Sequence, residues 1–316
     1  MSTSWHGPDV VVPAMSQPHA RPGRPRGPQV PQIPRGPQVP QVLRVQQNGL
    51  VNSPQIPSID LRTPTGSVPI PLLGLGTWQS DGDLARHAVR HALEVGYRHV
   101  DTATGYANEE QVGRGLADSG VPRDEVFVTT KLPPEAAGRE RETLERSLRL
   151  LGTDHVDLWL VHWPPNGQAT PSTWQAFREL RDEGLVRAIG VSNYSLAQID
   201  ELIDATGEAP ALDQVPWSPR DLDARLVAGL ALRGVVLEGY SPLKRTDAAN
   251  PVLAEIAARH GVTVQQVVLG WHLHHRVVVI PKSTNPQRIE ANLDVLGFTL
   301  GDEEVAAIDG LSTVEG

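Results

Sequence analysis

From residue 72 onward, short apolar runs alternate along the chain with longer amphipathic stretches. Apolar runs of roughly four to eight residues are typical of buried parallel strands, and apolar positions three and four apart are typical of helices. The pattern predicts eight strands, at residues 72–77, 98–101, 126–131, 156–162, 188–192, 212–215, 235–240 and 277–281. It predicts helices at residues 83–95, 109–119, 139–151, 172–183, 197–205, 222–232, 251–259 with 264–274, and 286–293, and an extra helix at 302–308.

This alternation over residues 59–316 predicts an α/β fold, a (β/α)8 TIM barrel, whose usual size is ~250 residues. A doubly wound sheet is the competing fold, and it would carry the motif G-x-G-x-x-G after its first strand. The two candidate stretches, Gly74-Leu-Gly76-Thr-Trp-Gln79 and Gly113-Arg-Gly115, both lack the third glycine. The barrel is therefore the predicted fold.

The segment before residue 72 has two parts. Residues 59–62 and 67–70 flank the turn sequence Thr-Pro-Thr-Gly, which predicts an N-terminal β-hairpin. Residues 1–58 are rich in Pro, Gly, Gln and Arg and contain RGPQVPQ twice. Such a segment cannot bury enough apolar surface to offset its ordering entropy, so it is predicted to be a disordered extension. A proline-rich docking ligand and a start site assigned too far upstream stay open as alternatives.

Composition excludes several classes of protein. The formal net charge is −9, whereas proteins that bind duplex nucleic acid need a basic face. The absence of cysteine excludes disulfides, thiolate metal sites and cysteine nucleophiles. No apolar run approaches the ~20 residues that span a membrane. We therefore expect a cytoplasmic protein that binds neither nucleic acid nor membrane.

Polar side chains stand at the ends of three successive predicted strands, where barrel enzymes keep their active sites. Asp101 ends the second strand, and Tyr106 follows it on the next loop. Lys131 ends the third strand and His162 ends the fourth. We call these four residues the tetrad and predict that their side chains meet.

The tetrad suits the reduction of a carbonyl group, which needs a proton donor at the oxygen as well as a hydride donor. A tyrosine phenol has an ordinary pKa of ~10, and a neighbouring ammonium such as Lys131 lowers it by favouring the phenolate. Asp101 would keep Lys131 charged and aimed, and His162 would hydrogen-bond the carbonyl oxygen. Each residue alone also has an ordinary structural explanation, as a helix cap, a packed ring or a satisfied polar group.

Metal binding by Asp101 and His162 is the rival use of these side chains. It lacks a third ligand, because His272, His274 and His275 lie on or just after a helix that leads away from the strand ends. No metal site is therefore predicted.

Four sequence blocks, in order, closely resemble the aldo-keto reductases, and most nearly their bacterial 2,5-diketogluconate reductase-like branch. The blocks are GYRHVDTATGYANE at 96–109, LGTDHVDLWLVHWP at 151–164, GLVRAIGVSN at 184–193 and IPKSTNPQRIEAN at 280–292. The resemblance spans about residues 58–311. It implies an NADPH-dependent reduction of a small aldehyde, dicarbonyl or keto-sugar to the alcohol, with Tyr106 as proton donor assisted by the rest of the tetrad.

The resemblance also implies cofactor contacts. Ser192, Asn193 and Gln214 would meet the nicotinamide carboxamide, Tyr240 would stack on its ring, and Ser241 and Leu243 would follow the pyrophosphate. Lys282, Ser283 and Arg288 would grip the adenosine 2′-phosphate, and Asn292 would reach the adenine. The implied cofactor-binding set is Gly76, Thr77, Asp101, Ser192, Asn193, Gln214, Tyr240, Ser241, Leu243, Lys282, Ser283, Thr284, Arg288 and Asn292.

Tryptophans after the first and fourth predicted strands, Trp78 and Trp163, are predicted to wall the substrate pocket, and Trp217 is a third candidate. The chain departs from the family pattern at Pro216 and Ser218, and at Ala291 near the adenine. In the family a longer C-terminal loop closes over the substrate, so the resemblance implies that the short segment after the last helix leaves the pocket open. The protein is expected to be a monomer, and a non-catalytic barrel that binds or senses NADP(H) stays open as the alternative function.

Overall fold

The structure is a computed structural model that describes residues 55–314. Within this range the strands are β1 (Ser58–Thr63), β2 (Gly66–Pro71), β3 (Leu75–Gly76), β4 (His99–Asp101), β5 (Phe127–Leu132), β6 (Val156–Val161), β7 (Val186–Ser192), β8 (Leu212–Pro216), β9 (Val236–Tyr240) and β10 (Val278–Val279). The α-helices in the same range are α1 (Asp83–Val95), α2 (Glu109–Asp118), α3 (Glu140–Leu151), α4 (Pro171–Asp182), α5 (Leu196–Thr206), α6 (Ala224–Arg233), α7 (Pro251–His260), α8 (Val264–His274), α9 (Pro286–Leu293) and α10 (Asp302–Asp309).

Strands β3 to β10 form one parallel sheet in which each strand pairs with the next along the chain. The first and last strands meet through two parallel bridges, Leu73 with Val279 and Gly76 with Lys282. These bridges close the sheet into a barrel. The predicted (β/α)8 fold is confirmed, and the C-terminal strand ends share one rim, as parallel strands in a barrel require.

The seam between β3 and β10 is shorter than predicted. We expected strands at 72–77 and 277–281, whereas the regular strands cover only Leu75–Gly76 and Val278–Val279. Pro281 has no N–H to continue a ladder. The two segments also approach closely, since a Cβ atom on Gly76 would lie 2.8 Å from the carbonyl oxygen of Ile280. The barrel therefore closes by isolated bridges at this seam.

The predicted hairpin is present as the antiparallel pair of β1 and β2. Its inward side chains Leu61, Val68 and Ile70 are buried, and they pack with apolar residues from the early parts of the barrel strands, including Phe127 and Leu212. The hairpin thus covers the N-terminal end of the barrel, opposite the rim formed by the C-terminal strand ends. A larger apolar cluster fills the space between the strands and the helices.

The prediction of disorder for residues 1–58 concerns mainly residues 1–54, which lie outside the described residues, and Ser58 already begins β1. Among residues 55–314, no helix is long and apolar enough to cross a membrane. The same range contains no group of three or more His, Asp or Glu side chains that could hold a metal ion.

Candidate active site

A buried ion pair lies at the centre of the rim. The Lys131 ammonium donates to both carboxylate oxygens of Asp101, at 2.7 and 2.8 Å, and to the carbonyl oxygen of Thr102 at 2.8 Å. Both charged side chains are essentially inaccessible to solvent. A buried ammonium is stabilised only by such close partners. Burial alone would lower the pKa of Lys131, but Asp101, Tyr106 and Glu238 raise it above its ordinary value, so the side chain stays charged.

The Tyr106 hydroxyl lies against this pair, 3.5 Å from Lys131 Nζ, which also stands 5.1 Å from the centre of the phenol ring. Burial raises the pKa of Tyr106 above its ordinary value, and the Lys131 ammonium opposes that rise without cancelling it. The expected net lowering of this pKa is therefore not found. The ammonium still acts in the predicted direction, because it stabilises the phenolate.

The His162 ring completes the tetrad, with its centre 5.7 Å from that of the Tyr106 ring at an angle of 74°. Burial, together with the Lys131 ammonium, lowers the pKa of His162 to about 3. The imidazole is therefore neutral near pH 7. The structure brings the four predicted side chains together.

A cavity of about 580 Å³ opens beside Tyr106 and His162 at the rim. Its lining contains most of the side chains predicted from the sequence: Gly76, Trp78, Asp101, Tyr106, His162, Trp163, Ser192, Asn193, Gln214, Tyr240, Ser241, Leu243 and Lys282. Lys131 lies beneath it, bonded to Asp101. Thr77, Ser283, Thr284, Arg288 and Asn292 do not line it.

Gln214 lines the cavity and is held in place by two carboxyl groups, those of Asp101 and Glu238. Its side-chain nitrogen donates to Asp101 Oδ2 and to Glu238 Oε2, both at 2.9 Å. Both N–H groups are thus used, and no described residue hydrogen-bonds the remaining amide oxygen. An acceptor at this place fits the amino group of a nicotinamide carboxamide.

Asn193 and its neighbours form a second polar cluster. The Asn193 amide donates to the His162 carbonyl at 3.1 Å and to Ser192 Oγ at 2.9 Å, and its oxygen accepts from the Tyr240 hydroxyl at 2.9 Å. Asn193 and Ser241 have φ values of 64° and 56°, a region that non-glycine residues seldom adopt. These bonds fix the Tyr240 ring at the cavity wall and use both N–H groups of the Asn193 side chain. Its oxygen accepts one bond and retains a second lone pair that can accept from a ligand.

Two exposed cationic side chains, those of Lys282 and Arg288, follow β10 and lie next to the start of α9. Lys282 lines the cavity, and Arg288 is on the first turn of α9, outside it. The loop between them is ordered by Ser283, whose hydroxyl accepts from the Asn285 amide at 3.1 Å, and by Asn285, whose side chain accepts from the Arg288 amide at 3.0 Å. Cations beside a helix N-terminus suit a phosphate group.

Trp78 and Trp163 are 43% and 47% exposed and line the cavity, and their contact with a substrate stays a prediction. Trp217 is 1% exposed and is absent from the lining, so its predicted place in the pocket wall is wrong. Lys244, which the sequence did not single out, also lines the cavity, and its ammonium lies 5.3 Å from the centre of the Trp78 ring.

Two buried polar residues were missed by sequence reasoning. Asn108 ties the loop that carries Tyr106 to the loop after β3, because its amide donates to the carbonyls of Thr77 and Ser80 at 2.9 and 3.0 Å. Glu238 is fully buried in β9 and bonds Gln214. A glutamate inside the otherwise apolar run 235–240 was the signal for Glu238 in the sequence.

Comparison with known proteins agrees with this geometry. Residues 72–313 match the sequence profile of the Aldo/keto reductase family. An aldo-keto reductase of Mycolicibacterium smegmatis is 41% identical over 255 residues, which cover 77% of this chain and 90% of that protein. The methylglyoxal reductase DkgA of Escherichia coli is 40% identical over 243 residues, which cover 76% of this chain and 88% of that protein.

Solved structures show the same similarity. A Bombyx mori aldo-keto reductase in complex with NADP superposes with a TM-score of 0.74 and is 37% identical, over 82% of this chain and 93% of that one. The resemblance read from the four sequence blocks is therefore confirmed.

Proposed function

The chain belongs to the aldo/keto reductase family, and we propose that the tetrad performs its NADPH-dependent reduction of a small aldehyde or ketone to the alcohol. The observation that carries this proposal is the position of Lys131 Nζ, which bonds the Asp101 carboxylate and approaches the Tyr106 hydroxyl beside the cavity. Bound NADPH supplies the hydride. The side chains of the protein supply the proton and the positioning.

In this proposal Tyr106 donates the proton to the carbonyl oxygen. Its raised pKa keeps the phenol protonated near pH 7, so a proton is present to be transferred. The Lys131 ammonium stabilises the phenolate that remains, and Asp101 holds that ammonium in place. His162 is neutral and can donate one hydrogen bond to the carbonyl oxygen as negative charge develops there.

The cofactor would be held by groups on both sides of the tetrad. The free oxygen of Gln214 supports a contact with the carboxamide amino group, and the fixed Tyr240 ring supports stacking on the nicotinamide. Lys282 and Arg288 would bind the 2′-phosphate. Ser241 and Leu243, which line the cavity between these groups, would follow the pyrophosphate.

The substrate would enter between Trp78 and Trp163, whose exposed rings form an apolar wall beside the tetrad. One relative is named a methylglyoxal reductase, so dicarbonyls belong in the set of compounds to be tried, with simple aldehydes and keto-sugars.

The test compares the wild type with Tyr106→Phe. NADPH oxidation is followed by absorbance with a panel of small aldehydes, dicarbonyls and keto-sugars, and NADPH affinity is measured separately by titration. We expect kcat to fall by roughly 10²- to 10⁴-fold, the usual contribution of a positioned general acid, with little change in NADPH affinity. NADPH binding by the wild type without turnover of any carbonyl would instead support the non-catalytic binding protein.

Specificity for NADPH over NADH is tested with Arg288→Ala. We expect this change to raise KM for NADPH and to leave KM for NADH nearly unchanged, because NADH lacks the 2′-phosphate. An unchanged KM for NADPH would refute the role of Arg288. The monomeric state and the cytoplasmic location stay predictions from the sequence, which sedimentation and cell fractionation would check.

A further inference from the structure

Glu238 is a carboxyl group buried inside the barrel and 0% exposed. It lies on β9, where its backbone is in register with Gln214 of β8 and Val278 of β10. A carboxyl group in such a position is costly to bury unless it is neutral or partnered. Its one hydrogen bond among the described residues is the 2.9 Å contact from Gln214 Nε2 to Glu238 Oε2.

That bond extends a chain of contacts that reaches the proton donor. Gln214 Nε2 also donates to Asp101 Oδ2 at 2.9 Å, and Asp101 accepts from Lys131 at 2.7 and 2.8 Å. Lys131 in turn lies 3.5 Å from the Tyr106 hydroxyl. Glu238 therefore stands at the far end of the network that holds the tetrad.

The two carboxyl groups determine the orientation of the Gln214 side-chain amide. Carboxyl oxygens of Asp101 and Glu238 lie at the same end of the side chain, and only the amide nitrogen has two hydrogens with which to bond both. The amide oxygen is left for the cavity that Gln214 lines. Without the Glu238 acceptor, one N–H would lack a partner, and only the bond to Asp101 would hold the amide in this orientation.

We propose that Glu238 is a positioning residue that fixes the Gln214 amide with its oxygen facing the cavity, so that Gln214 can accept a hydrogen bond from the cofactor carboxamide. This inference rests on the proposed function, because it concerns the same cofactor site. Glu238 does not line the cavity, so it acts through Gln214.

The charge state of Glu238 agrees with this role. The ionisable groups that face it are Asp101 and His99 on β4, Lys131 on β5 and, at longer range, Tyr106. Lys131 neutralises only one carboxylate, and Asp101 is bonded to it directly. Burial, reinforced by the Asp101 charge, raises the pKa of Glu238 above its ordinary value and so favours the protonated carboxyl, which still accepts from Gln214.

Two variants separate the acceptor from the charge. Glu238→Leu removes the acceptor at similar volume, whereas Glu238→Gln keeps a carbonyl acceptor that cannot ionise. NADP⁺ and NADPH affinities are measured by calorimetric titration of the full chain near pH 7. We expect Glu238→Leu to raise Kd by roughly three- to tenfold, as for one lost hydrogen bond, and Glu238→Gln to stay within about twofold of the wild type.

A second measurement on the ligand-free protein checks the buried carboxyl itself. Because the folded pKa of Glu238 lies above its unfolded value of 4.5, the wild type binds more protons when folded and loses stability as pH rises from 4.5 to about 8. The Glu238→Gln variant has no ionisable group at this position, so it does not undergo this loss of stability. The melting temperature of Glu238→Gln, relative to that of the wild type, should therefore increase as the pH rises across this range.

Asp213→Asn is the matched control. Asp213 is a fully buried carboxyl on β8 whose pKa burial raises well above its ordinary value, but it makes no bond to Gln214 among the described residues. Asp213→Asn should also gain melting temperature relative to the wild type as pH rises, because it removes a carboxyl whose pKa burial raises, and it should leave the Kd values unchanged.

The outcomes distinguish this inference from the proposed function. If the wild type does not bind NADP(H), the proposed function fails. If the wild type binds and Gln214→Leu weakens binding while Glu238→Leu does not, the role of Glu238 alone is overturned. Weaker binding in Glu238→Leu with binding kept in Glu238→Gln supports the inference.

Discussion

The His162 imidazole stands next to the Lys131 ammonium in a site that is mostly closed to solvent, and this placement makes a prediction about pH. Its folded pKa is about 3, below the ordinary value of 6.5. The ring is therefore already neutral near pH 6.5 and does not change its charge there. We expect kcat/KM for carbonyl reduction to show no ionisation near pH 6.5, as measured in a pH profile at saturating NADPH. A step near that pH that vanishes in His162→Gln would contradict this prediction.

Lys131 provides a prediction about stability. Lys131→Met removes the main partner of a carboxylate that stays buried, and breaking a buried pair from one side typically costs about 3–5 kcal/mol. We expect a loss of that size in the free energy of unfolding, measured by urea denaturation. The double variant Asp101→Asn with Lys131→Met should be more stable than Lys131→Met alone, because no unpaired charge remains.

An exposed ion pair serves as the control for this measurement. Arg114 bonds Glu110 one helical turn away, and both side chains are at least half exposed. Arg114→Met should cost no more than about 0.5 kcal/mol, as expected for a surface pair on a helix. A similar loss for Arg114→Met and Lys131→Met would mean that burial of the Lys131 pair has no special effect on stability.

At the scale of the elements, the sequence predicted those features that depend on local pattern. Apolar runs that stop at a polar residue locate the strand ends to within about one residue, since β5 continues past Lys131 to Leu132 and β6 ends at Val161, before His162. The tetrad and its rim could therefore be placed in advance. The hydrogen bond of Gln214 to Glu238 could not be predicted from the sequence, because it depends on the register between β8 and β9, whose paired residues are far apart along the chain. The short pairing between β3 and β10 could not be predicted either, because it depends on how the two ends of the sheet meet when the barrel closes.

The start of α9 allows a prediction about one element. Asn285 caps this helix by accepting from the Arg288 amide, and loss of such a cap costs about 1 kcal/mol. Because the cap also orders the loop between Lys282 and Arg288, Asn285→Ala should raise KM for NADPH more than KM for NADH. Steady-state kinetics with both cofactors would check this.

Thr263→Ala is the corresponding control at another helix. Thr263 caps α8 by accepting from the Gln266 amide at 3.2 Å, and it does not line the cavity. It should cost a similar amount of stability and leave both KM values unchanged. Equal effects of the two variants on KM for NADPH would show that the α9 cap has no particular part in cofactor binding.

At the scale of the whole molecule, the division of the chain into an extension and a barrel stays a prediction. Among the described residues, the buried core runs from Leu61 to Ile308. The low capacity of residues 1–58 to bury apolar surface is the basis for this division. We expect a chain that begins at residue 55 to keep its melting temperature and its kcat/KM for carbonyl reduction. A marked loss of either property would show that the N-terminal segment contributes to the folded enzyme.

A longer truncation should behave in the opposite way, although the match to the family begins only at residue 72. A chain that begins there lacks the hairpin of β1 and β2, and with it the buried side chains of Leu61, Val68 and Ile70. Burial of each such side chain contributes about 1.5–3 kcal/mol, while a domain is stable by only about 5–15 kcal/mol in total. Loss of all three would also expose the apolar end of the barrel. We therefore expect this chain to be largely unfolded or aggregated by circular dichroism and gel filtration, and a soluble, active product would show that the hairpin is dispensable.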